Sequence, residues 1–301
     1  MIYIDKQKYS KEGIQITSEY LQNCCKDSAT GRYVNVCYDK RDGYGHSLCR
    51  ADKGVYHKRM IEVLLKSQNR YCCYCLRKLK AESKEKDLEK TSIEHIIPRG
   101  YTETNKENLE EYQKAPNLDD RNVVLRDDFE KKSPQTIPPY PHNVAYFNLV
   151  ASCFGNFPDT VHGNKATCCN LVRKEKFAYP VFYHHDIQKY VSYEPDGNIH
   201  PVGEKLYDEI KNVICATKLY ARPLRDIRKL WYELRDVDYR EIYTCQKEED
   251  RHVLLSKYLT ELNLEERRRF IEKYKKEDQW HTFMLYRKFY SIMRLQFPSI
   301  K

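Results

Sequence analysis

The sequence predicts an α+β fold built from short strands, amphipathic helices and a cysteine-rich centre. Short β segments are indicated by the isoleucines of residues 93–97, which Pro98 stops, and by the apolar run at 148–153. Helices are indicated over 56–67 and beyond residue 203, where apolar residues recur at i, i+4, i+7 and i+8. Cysteines surround these segments, which in a reducing compartment is typical of metal ligands rather than disulfides.

The composition is that of a globular chain with a basic balance. Its 301 residues suffice for one large domain or two smaller ones, 32% of them are charged, and the formal net charge is +9. Lysine and arginine displace counterions from a phosphate backbone, so this balance favours a polyanionic partner. No apolar run reaches membrane-spanning length and the N-terminus has no signal-peptide core, so we expect a cytoplasmic protein with no membrane partner.

Three regions are predicted along the chain. Residues 1–55 have no assignable role, although alternation over 33–38 indicates a strand. Residues 56–200 form a central region that opens with the helix over 56–67. Residues 201–301 form a mainly helical C-terminal region, in which 22 Lys/Arg against 17 Asp/Glu leave a net charge of +5.

A long insertion separates the two β segments of the central region. It covers residues 100–145, contains a predicted short helix at 107–114, and could sit at the rim of a substrate groove. After the second β segment, a helix is predicted over 165–176. A β-hairpin is predicted from residue 190, because turn-forming residues follow over 195–198.

Four thiols of the central region are predicted to hold one structural zinc ion. The predicted ligands are Cys72, Cys75, Cys153 and Cys169. The first two form a Cys-x-x-Cys pair, a spacing that lets two thiolates reach one tetrahedral ion from a tight turn. Cys168 is the alternative to Cys169, and His162 is a possible replacement for a cysteine.

Four further side chains are predicted to form a hydrolytic site. Phosphodiester hydrolysis needs a group that takes a proton from water and a cation that balances charge on the phosphate oxygens. A histidine suits the first task, so His95 is the predicted general base. Glu94 and Asn170 offer oxygen ligands to a magnesium-type ion, and Asn148 is expected to fix the loop that orients His95. Adjacent side chains on a strand point to opposite sides, so a twisted strand end is needed to bring Glu94 and His95 to one edge.

These segments, in this order, resemble the HNH (ββα-metal) endonuclease motif flanked by zinc-binding cysteines. The matching runs are Cys-x-x-Cys at 72–75, Ile-Glu-His-Ile-Ile-Pro at 93–98, Asn-Leu-Val-x-Ser-Cys at 148–153 and Cys-Asn-x-x-Arg at 169–173. The resemblance implies that Glu94 and Asn170 bind a catalytic Mg²⁺ or Mn²⁺ ion beside the structural Zn²⁺. It also implies that His95 is the general base, that Asn148 positions it and that Arg173 contacts substrate phosphate.

More narrowly, residues 56–197 are similar to HNH nucleases of bacterial anti-phage systems of the Septu and retron-associated type. That similarity implies an effector nuclease of antiviral defence that hydrolyses DNA beside an ATPase partner of the ABC/SMC-like kind. The chain has no Gly-x-x-x-x-Gly-Lys phosphate loop of its own. Two alternatives stay open at this point: an RNA-cleaving nuclease, and a non-catalytic zinc module that binds nucleic acid or a partner protein.

Overall fold

The structure, a computed structural model, confirms the α+β class with small sheets. It describes residues 1–34, 36, 54–77, 79–81, 91–99, 104–116, 122–132, 134–158, 165–222, 224–225 and 228. The predictions made for His162 and for the C-terminal helices beyond residue 228 lie outside the described residues. So does half of the strand predicted at 33–38, namely residues 35, 37 and 38; of the described half, Tyr33 forms an isolated bridge with Lys26.

Six α-helices and eight strands are described along this part of the chain. The helices are α1 (Ser10–Tyr20), α2 (Val55–Ser67), α3 (Asn105–Gln113), α4 (Arg126–Lys131), α5 (Cys169–Arg173) and α6 (Tyr207–Ala216). The strands are β1 (Thr91–His95), β2 (Val123–Val124), β3 (Tyr140–Pro141), β4 (Leu149–Cys153), β5 (Asn156–Pro158), β6 (Lys165–Thr167), β7 (Val191–Tyr193) and β8 (Ile199–Pro201). The helices predicted at 56–67 and 107–114, and the helix face beyond residue 203, are confirmed by α2, α3 and α6.

The centre of the fold is the antiparallel pair β1–β4. Thr91 lies opposite Cys153 and His95 opposite Leu149, so both predicted β segments are confirmed and pair with each other. We call this pair the β1–β4 hairpin, although the insertion separates its two strands. β4 is buried along its whole length. Short α5 packs against it.

The helix predicted over 165–176 is wrong in extent. Residues Lys165–Thr167 are strand β6, and α5 covers only Cys169–Arg173. The helix cannot begin earlier because Cys168 is extended, with φ −148°. It ends at Lys174, whose φ is +51°, a left-handed conformation that an α-helix does not continue.

Helices α1 and α2 pack against each other beside the hairpin. The apolar face of α2, predicted from its sequence, is buried at Met60, Val63 and Leu64. On the outer side, Arg59 pairs with Glu19 at 2.6 Å. Helix α2 also packs against β4 and so connects the helix pair to the centre of the fold.

Four of the first six residues are buried in the core. Met1 and Ile4 are buried, and the Ile4 amide donates to the Phe182 carbonyl at 2.8 Å. The ammonium of Lys6 is also buried, donates to the Leu149 carbonyl at 2.6 Å and lies 3.7 Å from the centre of the Tyr146 ring. This burial lowers the pKa of Lys6 well below its ordinary value. Leu149 is the residue opposite His95, so the N-terminal segment braces the end of the hairpin.

Two compact units make up the chain. Residues 1–157, 167–193 and 199–221 form the first, and residues 158–166, 194–198 and 222–301 form the second. The predicted boundaries near residues 55 and 200 stay predictions. In the first unit, β7 and β8 pair antiparallel, which confirms the hairpin predicted from residue 190. In the second, Arg228 donates to the Gly197 carbonyl at 3.3 Å. Among the described residues, every helix is too short or too polar to cross a lipid bilayer.

Candidate metal centre and hydrolytic site

Four buried cysteines meet at one point of the fold. The sulfur atoms of Cys72, Cys75, Cys153 and Cys169 all lie within 4.8 Å of one another. Cys75 and Cys153 are 3.7 Å apart, and Cys72 and Cys169 are 4.0 Å apart. A tetrahedral zinc ion with Zn–S bonds of about 2.3 Å requires sulfur–sulfur distances of about 3.8 Å. These four cysteines, which are the four predicted, can therefore hold a metal ion and are compatible with structural zinc.

Local backbone geometry delivers each thiol to this point. The Cys72 amide donates to the Arg77 carbonyl at 2.8 Å and the Leu76 amide to the Cys72 carbonyl at 3.1 Å, which closes the Cys-x-x-Cys turn. The amide of Cys153, at the end of β4, donates to the Cys72 sulfur at 3.4 Å. Cys169 has φ +52° and donates its amide to the Thr217 carbonyl at 2.8 Å. This unfavourable backbone angle at a non-glycine residue turns its thiol toward the other three.

Cys168 is a fifth thiol beside the cluster. Its sulfur lies 3.4 Å from that of Cys169, but it is not one of the four that lie mutually within 4.8 Å. Between the two alternatives left by the sequence, the geometry therefore favours Cys169 as the fourth ligand.

The environment of the thiols also suits a cation. Burial raises the pKa of Cys75 and of Cys169 well above the ordinary value of a thiol. Four thiols packed this closely in the core can be thiolates together only beside positive charge. A divalent ion bound here would supply that charge, and its binding energy would contribute to the free energy of folding.

Glu94 is buried against Arg173. The two side chains form an ion pair in which the carboxylate is 3% and the guanidinium 2% exposed. Burial raises the pKa of Glu94 to about 7, against the opposing effect of the Arg173 charge. Nε of Arg173 donates to Oε1 of the carboxylate and Nη2 forms the ion pair with the same oxygen, whereas Oε2 has no hydrogen-bond partner among the described residues.

The guanidinium of Arg173 donates from all three of its nitrogens to acceptors within the protein. Besides Glu94, it donates from Nη2 to the His95 carbonyl, and from Nη1 to the carbonyls of Ile96 (3.2 Å) and Lys176. An arginine has five N–H donors, and four hydrogen bonds of Arg173 go to acceptors within the protein. In this arrangement Arg173 ties α5 to the end of β1, and the predicted contact with substrate phosphate requires it to exchange these partners.

Asn170 lies on the same side of α5 as Arg173. Its Nδ2 donates to the Ser92 hydroxyl at 2.8 Å, and its Oδ1 has no hydrogen-bond partner within the described part of the chain. Ser92 and Glu94 are two residues apart on β1 and therefore share a face, while Asn170 and Arg173 are three apart on a helix. The structure thus brings the predicted metal ligands Glu94 and Asn170 to one interface between β1 and α5.

His95 makes a different set of contacts. Its Nε2 lies 3.0 Å from the carbonyl oxygen of Asn143, and the side chain is buried. Burial lowers the pKa of His95 well below its ordinary value. The imidazole faces the insertion, whereas Glu94 faces α5, because neighbours on a strand alternate in direction. The strand end is not twisted enough to bring both side chains to one edge, so that part of the prediction is not met in this structure.

Asn148 fixes the segment that follows His95. Its Oδ1 accepts from the Ile97 amide at 2.8 Å, and its Nδ2 donates to the carbonyls of Ile97 (3.1 Å) and His142 (2.8 Å). Its backbone carbonyl accepts from the Ile96 amide at 3.0 Å. The side chain thus lies where a residue that orients the loop is expected, and its hydrogen bonds all go to backbone atoms.

Several residues of the site carry no signal in the sequence. Asn143 holds the His95 ring through a backbone carbonyl, which any residue type would offer. His142 and Asn105 both donate to the Pro98 carbonyl, at 3.2 Å each, and come from the insertion that was expected at a groove rim. Ser92 is recognisable only once its position on the Glu94 face of β1 is known.

Comparison with known proteins finds no match for the chain among family models, curated proteins or solved structures.

Proposed function

We propose that the chain is a metal-dependent endonuclease of the HNH type, which hydrolyses phosphodiester bonds of DNA. The observation that carries the proposal is the ββα arrangement of β1, β4 and α5 around the thiol cluster. In it, Glu94 and Asn170 face one interface, and His95 follows Glu94 at the end of β1 with its imidazole on the opposite side of the strand. This order of acid, histidine and asparagine on two strands and a helix is the pattern that the sequence resembles.

His95 is the proposed general base, and its hydrogen bond assigns the nitrogen that acts. The Asn143 carbonyl can only accept, so Nε2 of His95 carries the hydrogen in their contact. In the neutral imidazole, Nδ1 then holds the lone pair and takes the proton from the attacking water. Asn148 supports this role by fixing the backbone of residues 96 and 97.

Glu94 and Asn170 are the proposed ligands of a Mg²⁺ or Mn²⁺ ion. Their donor atoms fit such an ion, because Oε2 of Glu94 and Oδ1 of Asn170 are oxygens with no hydrogen-bond partner among the described residues. Magnesium is usually held by one or two protein oxygens together with water and phosphate. When bound, the ion supplies charge stabilisation for the phosphate and the leaving oxygen.

Arg173 is the residue proposed to contact the substrate phosphate beside these ligands. It holds Oε1 of Glu94 and the backbone of residues 95 and 96, and contact with a substrate phosphate replaces some of these bonds. The basic charge of the chain supports a polyanionic substrate. An ATPase partner of the ABC/SMC-like kind and a role in antiviral defence are proposed from the sequence resemblance alone.

A second function, a non-catalytic zinc module that binds nucleic acid or a partner protein, is favoured by one observation. The Glu94–Arg173 pair is almost completely buried, and the guanidinium already neutralises the carboxylate that a catalytic ion needs. A protein of this kind keeps the thiol cluster and the basic net charge but needs neither His95 nor a catalytic divalent ion.

A cleavage assay separates the two functions. Supercoiled plasmid, linear duplex DNA and RNA are incubated with the purified chain, with and without Mg²⁺ or Mn²⁺, alone and with an ATPase encoded beside it. We expect Mg²⁺-dependent cleavage of DNA that His95→Ala abolishes and that the exposed-site control His185→Ala leaves intact. Cleavage by His95→Ala at the wild-type rate, or no cleavage under any of these conditions, contradicts the nuclease proposal.

A further inference from the structure

The side chain of His142, in the insertion, joins two backbone segments next to the hydrolytic site. Its Nε2 lies 3.2 Å from the Pro98 carbonyl, and its Nδ1 accepts from the Arg126 amide at 3.0 Å. The backbone carbonyl of the same residue accepts from Nδ2 of Asn148 at 2.8 Å. One buried residue therefore connects the segment after β1, the start of α4 and the start of β4.

These contacts determine the protonation of the ring. An amide only donates, so Nδ1 of His142 carries the lone pair, and a carbonyl only accepts, so Nε2 carries the hydrogen. The ring is therefore neutral, with both nitrogens engaged. A side chain that bonds only one of the two partners would break the connection.

His142 is also coupled to His95 from both sides of the imidazole. Residues 96–98, which leave His95, end at the Pro98 carbonyl that His142 holds. Asn143, the next residue after His142, supplies the carbonyl that holds Nε2 of His95. A shift of residue 142 thus moves both the backbone that carries the His95 side chain and the acceptor that orients its ring.

We infer that His142 is a positioning residue, which fixes the His95 imidazole by joining Pro98 to Arg126 across the insertion. The insertion then stabilises the hydrolytic site, in addition to any role at the rim of a substrate groove. The inference rests on the proposed nuclease function for its effect on catalysis, but the geometric part stands on the hydrogen bonds alone.

Three substitutions separate the two links. His142→Gln places an amide donor near the position of Nε2 and can keep the bond to Pro98. His142→Asn places an acceptor near the position of Nδ1 and can keep the bond to Arg126, and His142→Leu keeps neither. The matched control is His185→Gln, because His185 is an exposed histidine of the same compact unit.

Cleavage kinetics give the first readout. A displacement of about 1 Å at a catalytic group can cost about 100-fold in rate, so we expect kcat of His142→Leu to fall about 10- to 100-fold with little change in KM. Because Pro98 is the link nearest to His95, His142→Gln should recover most of the rate, whereas His142→Asn should behave like His142→Leu. The inference is overturned if His142→Leu cleaves like wild type, or if Gln and Asn recover the rate equally.

Nitrogen-15 NMR of the histidine rings gives the second readout and does not depend on cleavage. In the wild type we expect one His95 tautomer with the hydrogen on Nε2, and in His142→Asn a mixture or a shifted signal. An unchanged His95 signal in His142→Asn overturns the inference even if the chain is a nuclease. A changed signal in a chain that never cleaves supports the positioning and rejects the nuclease function. If His142→Leu does not fold, the Gln and Asn variants still decide both readouts.

Discussion

The guanidinium of Arg173 and the carboxylate of Glu94 form an ion pair at the junction of α5 and β1, and both side chains are nearly excluded from solvent. Buried pairs of this kind contribute little net stability compared with apolar residues, but the loss of one partner is costly because it strands the other charge. The pair also occupies the carboxylate that the proposed catalytic ion requires. Its behaviour therefore bears on both structure and function.

Replacement of Arg173 by Met should destabilise the fold strongly. We expect the free energy of unfolding to fall by about 3–5 kcal/mol, because Glu94 and the carbonyls of residues 95 and 96 lose their donors. Urea unfolding measures the change, and Lys174→Met, at the exposed neighbouring position, should stay within about 0.5 kcal/mol of wild type. If Arg173→Met proves as stable as Lys174→Met and only cleavage is lost, the guanidinium faces solvent and contacts phosphate directly.

Cys169 and Cys168 are neighbours with different expected effects on metal binding. Cys169→Ser removes one of the four mutually close sulfurs, so we expect loss of bound zinc and a large loss of stability. Cys168→Ser should keep one zinc ion per chain. Metal content by mass spectrometry, together with the thiolate charge-transfer absorption of a cobalt-substituted sample, measures both. Zinc retained in Cys169→Ser and lost in Cys168→Ser would show that the other thiol is the ligand.

Asn148 should be intolerant of an isosteric change. Asn148→Asp keeps the acceptor for the Ile97 amide but removes the donors to the carbonyls of Ile97 and His142. A buried carbonyl left without a donor costs about 1–3 kcal/mol, so we expect a loss of at least about 2 kcal/mol in urea unfolding. Asn23→Asp is the matched control, since Asn23 is exposed and donates one bond to the Tyr56 hydroxyl. Equal stability of the two variants would contradict the role of Asn148 as an anchor.

Local sequence rules predict the elements of this fold well where a sequence pattern is compatible with only one local structure. The Cys-x-x-Cys turn, the face of α2 and the two β segments each depend on neighbours in the sequence, and all are present. Helix α5 is shorter than predicted because its start is set by Cys169, whose amide is tied to Thr217 and whose thiol belongs to the cluster. That constraint comes from residues far along the chain, and no local pattern carries it.

The candidate site shows the same division. Glu94 and Asn170 are predicted by type and order, and the structure brings them to one interface. The partner of Glu94 is not predictable in the same way: an arginine at position 173 suits a phosphate contact as well as an ion pair, and only its burial distinguishes them. Asn143 acts through its backbone, so its side-chain type gives no indication of its contact with His95.

Acid should weaken the fold through His142, and the effect should vanish in His142→Gln. The pKa of His142 is lowered to about 4, chiefly by burial; the hydrogen bond to the Pro98 carbonyl and the charge of Asp127 oppose this change, and the charge of Arg126 adds to it. Between about pH 6.5 and 4, the unfolded chain therefore binds more protons at this residue than the native chain does. The contribution of His142 to the stability of the fold is lost as the pH falls through that range. At about 1.4 kcal/mol for each pKa unit, the full effect is about 3 kcal/mol. The contribution of Glu94 to the pH dependence of stability has the opposite sign, because its pKa is raised to about 7. The quantity to compare is therefore the difference in the free energy of unfolding between wild type and His142→Gln, measured by urea unfolding at each pH. A difference that stays constant from pH 7 to pH 4 would show that His142 does not titrate as a buried neutral ring.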